Sequence, residues 1–512
     1  MGRLLGIQEG GVHVFRGIPF AAAPVGEGRW RPPQPARPWA PGTLDASRYG
    51  HSCMQEDVPY ASASSSEDCL YLNVYAPPWL HGSTGLPCMI WVHGGGFVLG
   101  AASDGYYHAT DLVKFYMASG QPAVVITTNY RLGIFGFLGG DQLRQRDPES
   151  GSTGNYGLQD QRAAFKWVQD HIAAFGGDPK RVMVFGESAG AASISCHLAM
   201  PRSWGLFSSV AMESGAFAIW AANPGEVAED VYQQVLRNTS CSNASCLVSL
   251  STQEVIAAMG PDVVDYFFSR HAPTIDGVEL VAHPMELARA HRLSSVPVLL
   301  GGNRDEGFMF TALPMRSDKE QLFDYIENEQ GFARYLPREY VEATISKYLR
   351  TEVHPQIPDV SHEFWVAERI LGDTTMTCAM TLASHLLETG GNRVYRYIYS
   401  HEASQRPLPF VEHFDEVQFV FAHTSHMNNE ERELSQQIAS YWYRHAAYGS
   451  PDCKTAHGPE LVSWPESSVG YLQLDVARRG GIRVVTSPWR VWQCDFSRKL
   501  TDAVLKVLEP AH

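Results

Sequence analysis

The chain has 512 residues, of which 44% are hydrophobic and only 19% are charged, a balance that supplies a large core and excludes a disordered protein. Its 40 Lys and Arg against 55 Asp and Glu give a net charge of −15, which argues against nucleic acid as a partner and leaves no basic stripe for a membrane surface. No apolar run reaches the length of about 18 residues that a membrane span requires.

The N-terminal fifth of the chain predicts the beginning of a sheet. The first twenty residues lack the apolar centre of a signal peptide and already alternate like a strand, so we expect any leader to be absent from this chain. A buried strand over 87–93 ends in Gly94, Gly95 and Gly96. Glycines at this position let backbone N–H groups approach a ligand closely; a phosphate-binding turn is the alternative, but neither a lysine nor a G-x-G-x-x-G helix start follows.

The segment 181–197 carries the strongest functional pattern. An apolar run breaks at Gly186, Ser188 follows, and a helix of small residues begins after it. Strand, sharp turn and helix around G-x-S-x-G predict a nucleophile elbow, in which strained backbone exposes the serine hydroxyl at a helix N-terminus. The alternative is a tight turn whose serine only caps the helix. Buried strands alternating with helices predict an α/β fold with a mostly parallel sheet.

The region 215–291 is helical and irregular, which predicts a cap over the sheet within one domain spanning 1–512. Nine cysteines occur with no C-x-x-C pair. Cys241 and Cys246 enclose a short loop, and the glycosylation acceptors Asn238 and Asn243 lie just before it and within it, which indicates an exposed loop of a secreted protein. Chance sequons are the alternative.

Eight motifs, taken together and in order, resemble those of the type-B carboxylesterase and cholinesterase family of α/β hydrolases. They cover nearly the whole chain: FRGIPF at 15–20, EDCLYLN at 67–73, WVHGGGF at 91–97, NYGLQDQ at 155–161, FGGDP at 175–179, GESAG at 186–190, NRDEG at 303–307 and HFDEVQFVF at 413–421. The resemblance implies the α/β-hydrolase fold, with a large mostly parallel sheet, helices on both faces and an inserted helical cap region.

The resemblance also implies a catalytic triad of Ser188 as nucleophile, Glu306 as acid and His413 as base. An imidazole near neutrality is suited to take the serine proton, and a carboxylate fixes its tautomer. Asp305 adjoins Glu306 and is the alternative candidate for the acid of the triad. Its non-catalytic interpretation is a structural salt bridge or a turn. Activity is expected to fall on acidification with an apparent pKa of roughly 6 to 7, the free-imidazole range.

Other residues receive roles from the same resemblance. The oxyanion hole would be the backbone N–H groups of Gly95, Gly96 and Ala189, with His93 orienting the loop. Glu187 and Ser214 would line the site behind the triad as a buried hydrogen-bond network. The family's disulfide pattern pairs Cys53 with Cys69, Cys241 with Cys246 and Cys378 with Cys494, and leaves Cys88, Cys196 and Cys453 free.

The predicted substrate pocket departs from that of cholinesterases. The segment between Cys53 and Cys69 contains no tryptophan, and Met309 stands where cholinesterases use an aromatic residue, so choline esters are predicted to be poor substrates. Aliphatic or aryl esters suit the expected apolar walls, which are Trp220, Phe308, Met309 and Phe310.

The sequence therefore predicts a secreted serine carboxylesterase that needs no cofactor. A metal site is not expected, since His362 and Glu363 are followed by Val366 where H-E-x-x-H requires histidine. The alternatives are a catalytically silent adhesion or scaffold relative, and, among enzymes, a lipase or amidase. The predicted partner is a small-molecule ester; the sequence makes no prediction of oligomeric state or acyl preference.

Overall fold

The computed structural model of the chain describes residues 1–55, 64–78, 85–260, 263–265, 268–352, 354, 357–406, 408–453 and 458–507. Residues 56–63, in the segment between Cys53 and Cys69, lie outside the described residues. Within the described part, no helix combines the length and the apolar character needed to cross a bilayer.

A mixed sheet forms the centre of the described structure. Its strands are β1 Ile7–Glu9, β2 Val12–Pro19, β3 Tyr71–Ala76, β4 Leu86–Val92, β5 Val124–Thr128, β6 Gly177–Glu187, β7 Ser209–Glu213, β8 Val298–Asn303, β9 Val394–Tyr399, β10 Tyr471–Leu474 and β11 Arg483–Val485. They lie in the order β11-β10-β9-β8-β7-β6-β4-β5-β3-β2-β1. All pairs from β10 to β5 are parallel, and the pairs at both edges are antiparallel. The predicted mostly parallel α/β sheet is confirmed.

Helices cover both faces of this sheet. The longer ones are α1 Thr110–Ala118, α2 Tyr156–His171, α3 Ala189–Ala199, α4 Gly225–Thr239, α5 Arg338–Thr351, α6 His362–Gly372, α7 Cys378–Thr389, α8 Asn429–Tyr448 and α9 Val491–Val507. Shorter helices span Gly133–Phe137, Asp141–Arg144, Ala244–Ser249, Thr252–Ala257, Pro284–Arg289, Lys319–Asp324, Phe332–Tyr335 and Val417–Val420.

The central strands are buried on both faces because their alternate side chains enter two different cores. Along β4, Cys88, Ile90 and Val92 join the core that contains α2 and α3. Met89 and Trp91 point the other way, into the core that contains α1 and α8. A strand that must satisfy two apolar layers reads as a continuous hydrophobic run, which is the pattern seen in the sequence.

Three disulfides brace the periphery of the fold: Cys53–Cys69, Cys241–Cys246 and Cys378–Cys494. These are the pairs implied by the family resemblance, and Cys88, Cys196 and Cys453 are free. Both predicted glycosylation acceptors are exposed, although Asn238 lies in the last turn of α4 rather than in a loop, and Asn243 caps the helix Ala244–Ser249.

Candidate active site

The serine of the predicted elbow lies where β6 turns into α3. Ser188 has φ 55° and ψ −122°, a backbone conformation that residues other than glycine rarely adopt. Its N–H donates to the Glu213 carbonyl at 2.9 Å. The flanking glycines are required by close packing, since a Cβ on Gly186 or Gly190 would lie 2.4 or 2.0 Å from the Val92 carbonyl oxygen. The turn therefore holds Ser188 at the carboxyl edge of the sheet.

The glycine loop after β4 lies beside this turn. Gly95 has φ +97°, and a Cβ there would meet the Leu99 carbonyl oxygen at 2.2 Å. The His93 ring contacts the Gly94 carbonyl through Nδ1 at 2.9 Å and stacks on Tyr130 at 4.5 Å. Burial lowers the pKa of His93 to about 4, so it acts as a neutral brace of the loop. Gly95 and Gly96 line the same cavity as Ser188, and Ala189 is the buried first residue of α3.

Glu306 and His413 meet although they are 107 residues apart. His413 Nδ1 lies 2.7 Å from Glu306 Oε2, and both side chains are almost completely buried. The other carboxylate oxygen, Oε1, accepts from the Ser214 hydroxyl and from the Asn303 N–H, each at 2.6 Å. Glu306 is thereby fixed on three sides, and one oxygen remains for the imidazole.

The neighbouring acid, Asp305, is engaged elsewhere. Its carboxylate pairs with Arg369 at 2.5 Å and Arg304 at 2.9 Å, and it accepts from the Val411 N–H at 2.8 Å. Burial raises the pKa of Asp305, but the two guanidinium groups outweigh burial and hold it below its usual value. Asp305 therefore has the geometry of a structural ion pair.

The second nitrogen of His413 lies next to a carboxylate. Nε2 is 2.9 Å from Glu187 Oε1, yet it has no hydrogen-bond partner with acceptable geometry among the described residues, Ser188 included. Burial lowers the pKa of His413, but the carboxylates of Glu187 and Glu306 outweigh it and raise this pKa well above its ordinary value. The nitrogen that would accept a proton is thus unengaged, and the imidazolium is strongly stabilised.

A cavity of about 830 Å³ opens onto Ser188 and His413. Trp220, Met309 and Phe310, three of the four side chains expected in the substrate pocket, line it. Phe308 does not: its ring packs on Phe410 at 3.9 Å and on Phe364, away from the cavity. That expectation is corrected, since the 3₁₀ turn Phe308–Phe310 directs only its second and third side chains to the cavity.

Four acidic residues in and behind the cavity have no role predicted from the sequence: Asp104, Glu213, Glu329 and Glu416. Asp104 and Glu329 line the cavity with Glu187, and none of the described lining residues is Lys or Arg. Glu213 and Glu416 lie behind the predicted triad with exposed fractions of 0% and 1%. Glu416 stands three residues after His413, so the family motif at 413–421 contained a signal that was not interpreted.

A parallel sheet whose central strand turns sharply into a helix at a serine, beside a glycine-rich loop, defines the α/β-hydrolase class. The chain belongs to the carboxylesterase family, whose family model matches residues 1–483. It is a carboxylic ester hydrolase, as this family and its named members establish.

Several curated proteins resemble the chain along nearly its whole length. An acylcarnitine hydrolase of Mus musculus is 31% identical, with 100% of this chain and 92% of the relative covered. A cocaine esterase of Homo sapiens is 31% identical, with coverage of 96% and 89%. The pyrethroid hydrolase Ces2e of Rattus norvegicus is 30% identical, with coverage of 96% and 87%.

Proposed function

We propose that the protein hydrolyses carboxylic esters through an acyl-enzyme on Ser188. The observation that carries this proposal is the buried Glu306–His413 pair at 2.7 Å, whose imidazole lines the same cavity as Ser188. Ser188 Oγ bonds to the ester carbonyl carbon while its proton passes to His413 Nε2. The C–O bond to the alcohol then breaks, and the alcohol leaves with that proton. Water then attacks the acyl carbon in the same way, the bond from that carbon to Ser188 Oγ breaks, and the carboxylic acid is released.

The backbone N–H groups of Gly95, Gly96 and Ala189 are proposed to stabilise the tetrahedral oxyanion. Gly95 and Gly96 line the cavity on the loop held by His93, and Ala189 begins a helix whose N-terminal dipole favours negative charge. Loss of one such donor typically costs about 3 kcal/mol of transition-state stabilisation.

Covalent labelling tests the nucleophile directly. An organophosphate incubated with the protein should form one Oγ–P bond on Ser188, with loss of the leaving group, seen as a single modified peptide by mass spectrometry. A matched Ser193→Ala variant, on the same helix but bonded to Gln161, should be labelled as the wild type is. Absence of an adduct on Ser188 would favour the catalytically silent relative.

The pH dependence of activity should depend on Glu187. His413 must be neutral to accept a proton, and because Glu187 and Glu306 raise its pKa, the acid limb of kcat/KM is expected above the free-imidazole range given by sequence alone. Glu187→Gln removes one of these anions, so the imidazolium is less stable and the limb should move to lower pH by about one unit. Rates measured from pH 5 to 9 check the shift; an unchanged limb or an upward shift contradicts it.

The charge of the cavity predicts which esters are preferred. Asp104, Glu187 and Glu329 repel an anionic substrate, and the described lining offers no Lys or Arg to compensate. We therefore propose neutral or cationic aliphatic or aryl esters as substrates. A carboxylate on the alcohol half should lower kcat/KM about tenfold against a neutral ester of the same size, less so at high salt. Equal rates for the two esters would count against the proposal.

The site of action is proposed to be extracellular. Three disulfides fit an oxidising compartment, and Asn238 and Asn243 are exposed. The Asn243 oxygen accepts from the Cys246 N–H at 3.0 Å, and the amide nitrogen, which donates to the Ser242 hydroxyl at 3.4 Å, is the atom that would carry a glycan. Protein expressed through a secretory pathway should lose mass on endoglycosidase treatment. Asn238→Gln and Asn243→Gln should each reduce that loss by the mass of one glycan. A mass insensitive to the enzyme contradicts glycosylation.

A further inference from the structure

Four carboxyl groups are buried together behind and beside the triad: those of Glu187, Glu213, Glu306 and Glu416. Each is at most 2% exposed, and none forms an ion pair with Lys or Arg among the described residues. His413 is the one cationic partner that any of them has in the described structure. Four buried anions around one imidazole are far too costly, so some of these groups must hold protons.

The hydrogen bonds of Glu416 indicate that it is one of the carboxyl groups that hold a proton. Asn303 Nδ2 donates to Glu416 Oε2 at 2.6 Å, so this oxygen acts as an acceptor. The other oxygen, Oε1, lies 3.3 Å from Ser214 Oγ and 3.2 Å from the Tyr397 hydroxyl. Ser214 Oγ lies in turn 2.6 Å from Glu306 Oε1.

The Ser214 hydroxyl lies between two carboxyl groups but has one proton. The shorter distance, 2.6 Å, assigns that proton to Glu306. Toward Glu416, the serine oxygen then presents lone pairs, which would repel a second carboxylate. The contact between Ser214 and Glu416 becomes a hydrogen bond only if Glu416 Oε1 carries a proton.

We propose that Glu416 is held as a neutral carboxylic acid that positions the triad, donating from Oε1 to Ser214 Oγ while Ser214 donates to Glu306. No bond is made or broken; the chain of two donors orients Glu306 and leaves its other oxygen for His413. Glu416 does not touch the reacting atoms, so it is a positioning residue. This inference rests on the proposed catalytic role of Glu306 and His413.

The electrostatic surroundings agree with a neutral Glu416. Burial, followed by the charges of Glu306 and Glu187, raises its pKa to about 8. The titratable groups that face it are Glu187, Glu213, Glu306, Tyr397 and Tyr399. Burial and Glu416 also raise the pKa of Glu213 well above its usual value, but the Glu213 carboxyl accepts from Trp442 Nε1 at 2.7 Å and, within the described part of the chain, has no hydrogen bond to a triad side chain.

Loss of the Glu416 proton should therefore impair the triad at alkaline pH. The single hydroxyl proton of Ser214 would then be shared between the carboxylates of Glu306 and Glu416, which weakens its hydrogen bond to Glu306. We expect kcat/KM of the wild type to decline as pH rises through about 8, the pKa of Glu416. A Gln side chain at 416 keeps an acceptor for Asn303 and a donor for Ser214 but has no proton to lose.

Infrared spectroscopy reads the proton without substrate. The wild-type protein should show a protonated-carboxyl C=O band that disappears as pH rises through about 8. Because Glu213 and other buried acids with raised pKa values contribute to the same region, the Glu416 component is read from the difference between wild type and variant: it should be lost in Glu416→Gln and retained in Glu213→Gln, the matched control from the same cluster. A Glu416→Gln spectrum that loses no protonated-carboxyl intensity relative to the wild type would overturn the proposal. Since no turnover is needed, this result is independent of the labelling of Ser188.

Kinetics test whether the proton acts on the triad. The alkaline decline of kcat/KM should be present in the wild type and Glu213→Gln and absent in Glu416→Gln, with the same acid limb in all three proteins. If Glu416 were anionic at neutral pH, its removal would lower the acid limb by about one unit, which overturns the proposal. An alkaline decline that survives in Glu416→Gln overturns the positioning role. Thermal unfolding of each variant shows that it is folded.

Discussion

Ser188→Ala is expected to lower kcat for ester hydrolysis by about 10⁵- to 10⁶-fold, the scale found when the nucleophile of other serine hydrolases is removed. The variant should remain folded, because the Ser188 side chain makes no capping bond to α3 and the turn is held by backbone and glycine packing. Steady-state hydrolysis of a chromogenic ester and thermal unfolding measure the two effects.

Ser193→Ala supplies the comparison for this experiment. Its hydroxyl is buried and accepts from Gln161 Nε2 at 3.0 Å, so the variant tests loss of a helix serine without loss of the proposed nucleophile. Its kcat should stay near the wild-type value. Wild-type rates in Ser188→Ala would refute the assigned nucleophile.

Glu306→Gln is expected to lower kcat by about 10⁴-fold, by analogy with the corresponding change in a Ser-His-Asp triad. The amide oxygen would take the bonds from Asn303 N–H and Ser214, and the amide NH₂ would then face His413 Nδ1. That donor requires the tautomer protonated on Nε2, which cannot accept a proton from Ser188. Hydrolysis rates and unfolding temperature together measure the effect, and stability should change little.

Asp305→Asn separates the two adjacent acids. It breaks the buried pairs with Arg304 and Arg369, which should cost about 3–5 kcal/mol of the free energy of unfolding. The folded fraction should keep its kcat. The opposite pattern, with Asp305→Asn folded but inactive and Glu306→Gln active, would transfer the role of the acid to Asp305.

The sequence predicted the parts of the site that are local in the chain. The turn at Ser188 and the loop at Gly95 could be read from strands, glycines and helix starts because neighbouring residues determine them. Glu306 and His413 came from family resemblance alone, since no local pattern indicates that residues 107 positions apart will meet. The assignment of one domain to 1–512 stays a prediction.

Two features of the site were beyond sequence reasoning for physical reasons. Phe308 was wrongly placed in the pocket because the direction of a side chain in one 3₁₀ turn depends on its tertiary contacts, here with Phe410. The role of Glu416 depends on its contacts with Asn303 and Ser214, which are 113 and 202 positions away. The protonation of a buried carboxyl is set by such contacts and not by its residue type.

The parallel register of β6, β7 and β8 places Glu187 beside Glu213, and Glu213 beside Gly301, at one edge of the sheet. Glu187 and Glu213 thus lie at the ends of adjacent, hydrogen-bonded strands. The cavity walls Leu99, Tyr106, Met309 and Phe310 instead lie on connecting segments. Replacing those segments changes the shape and polarity that a substrate meets while the reactive centre stays in place. One scaffold can thereby be retuned to many esters by exchange of its loops.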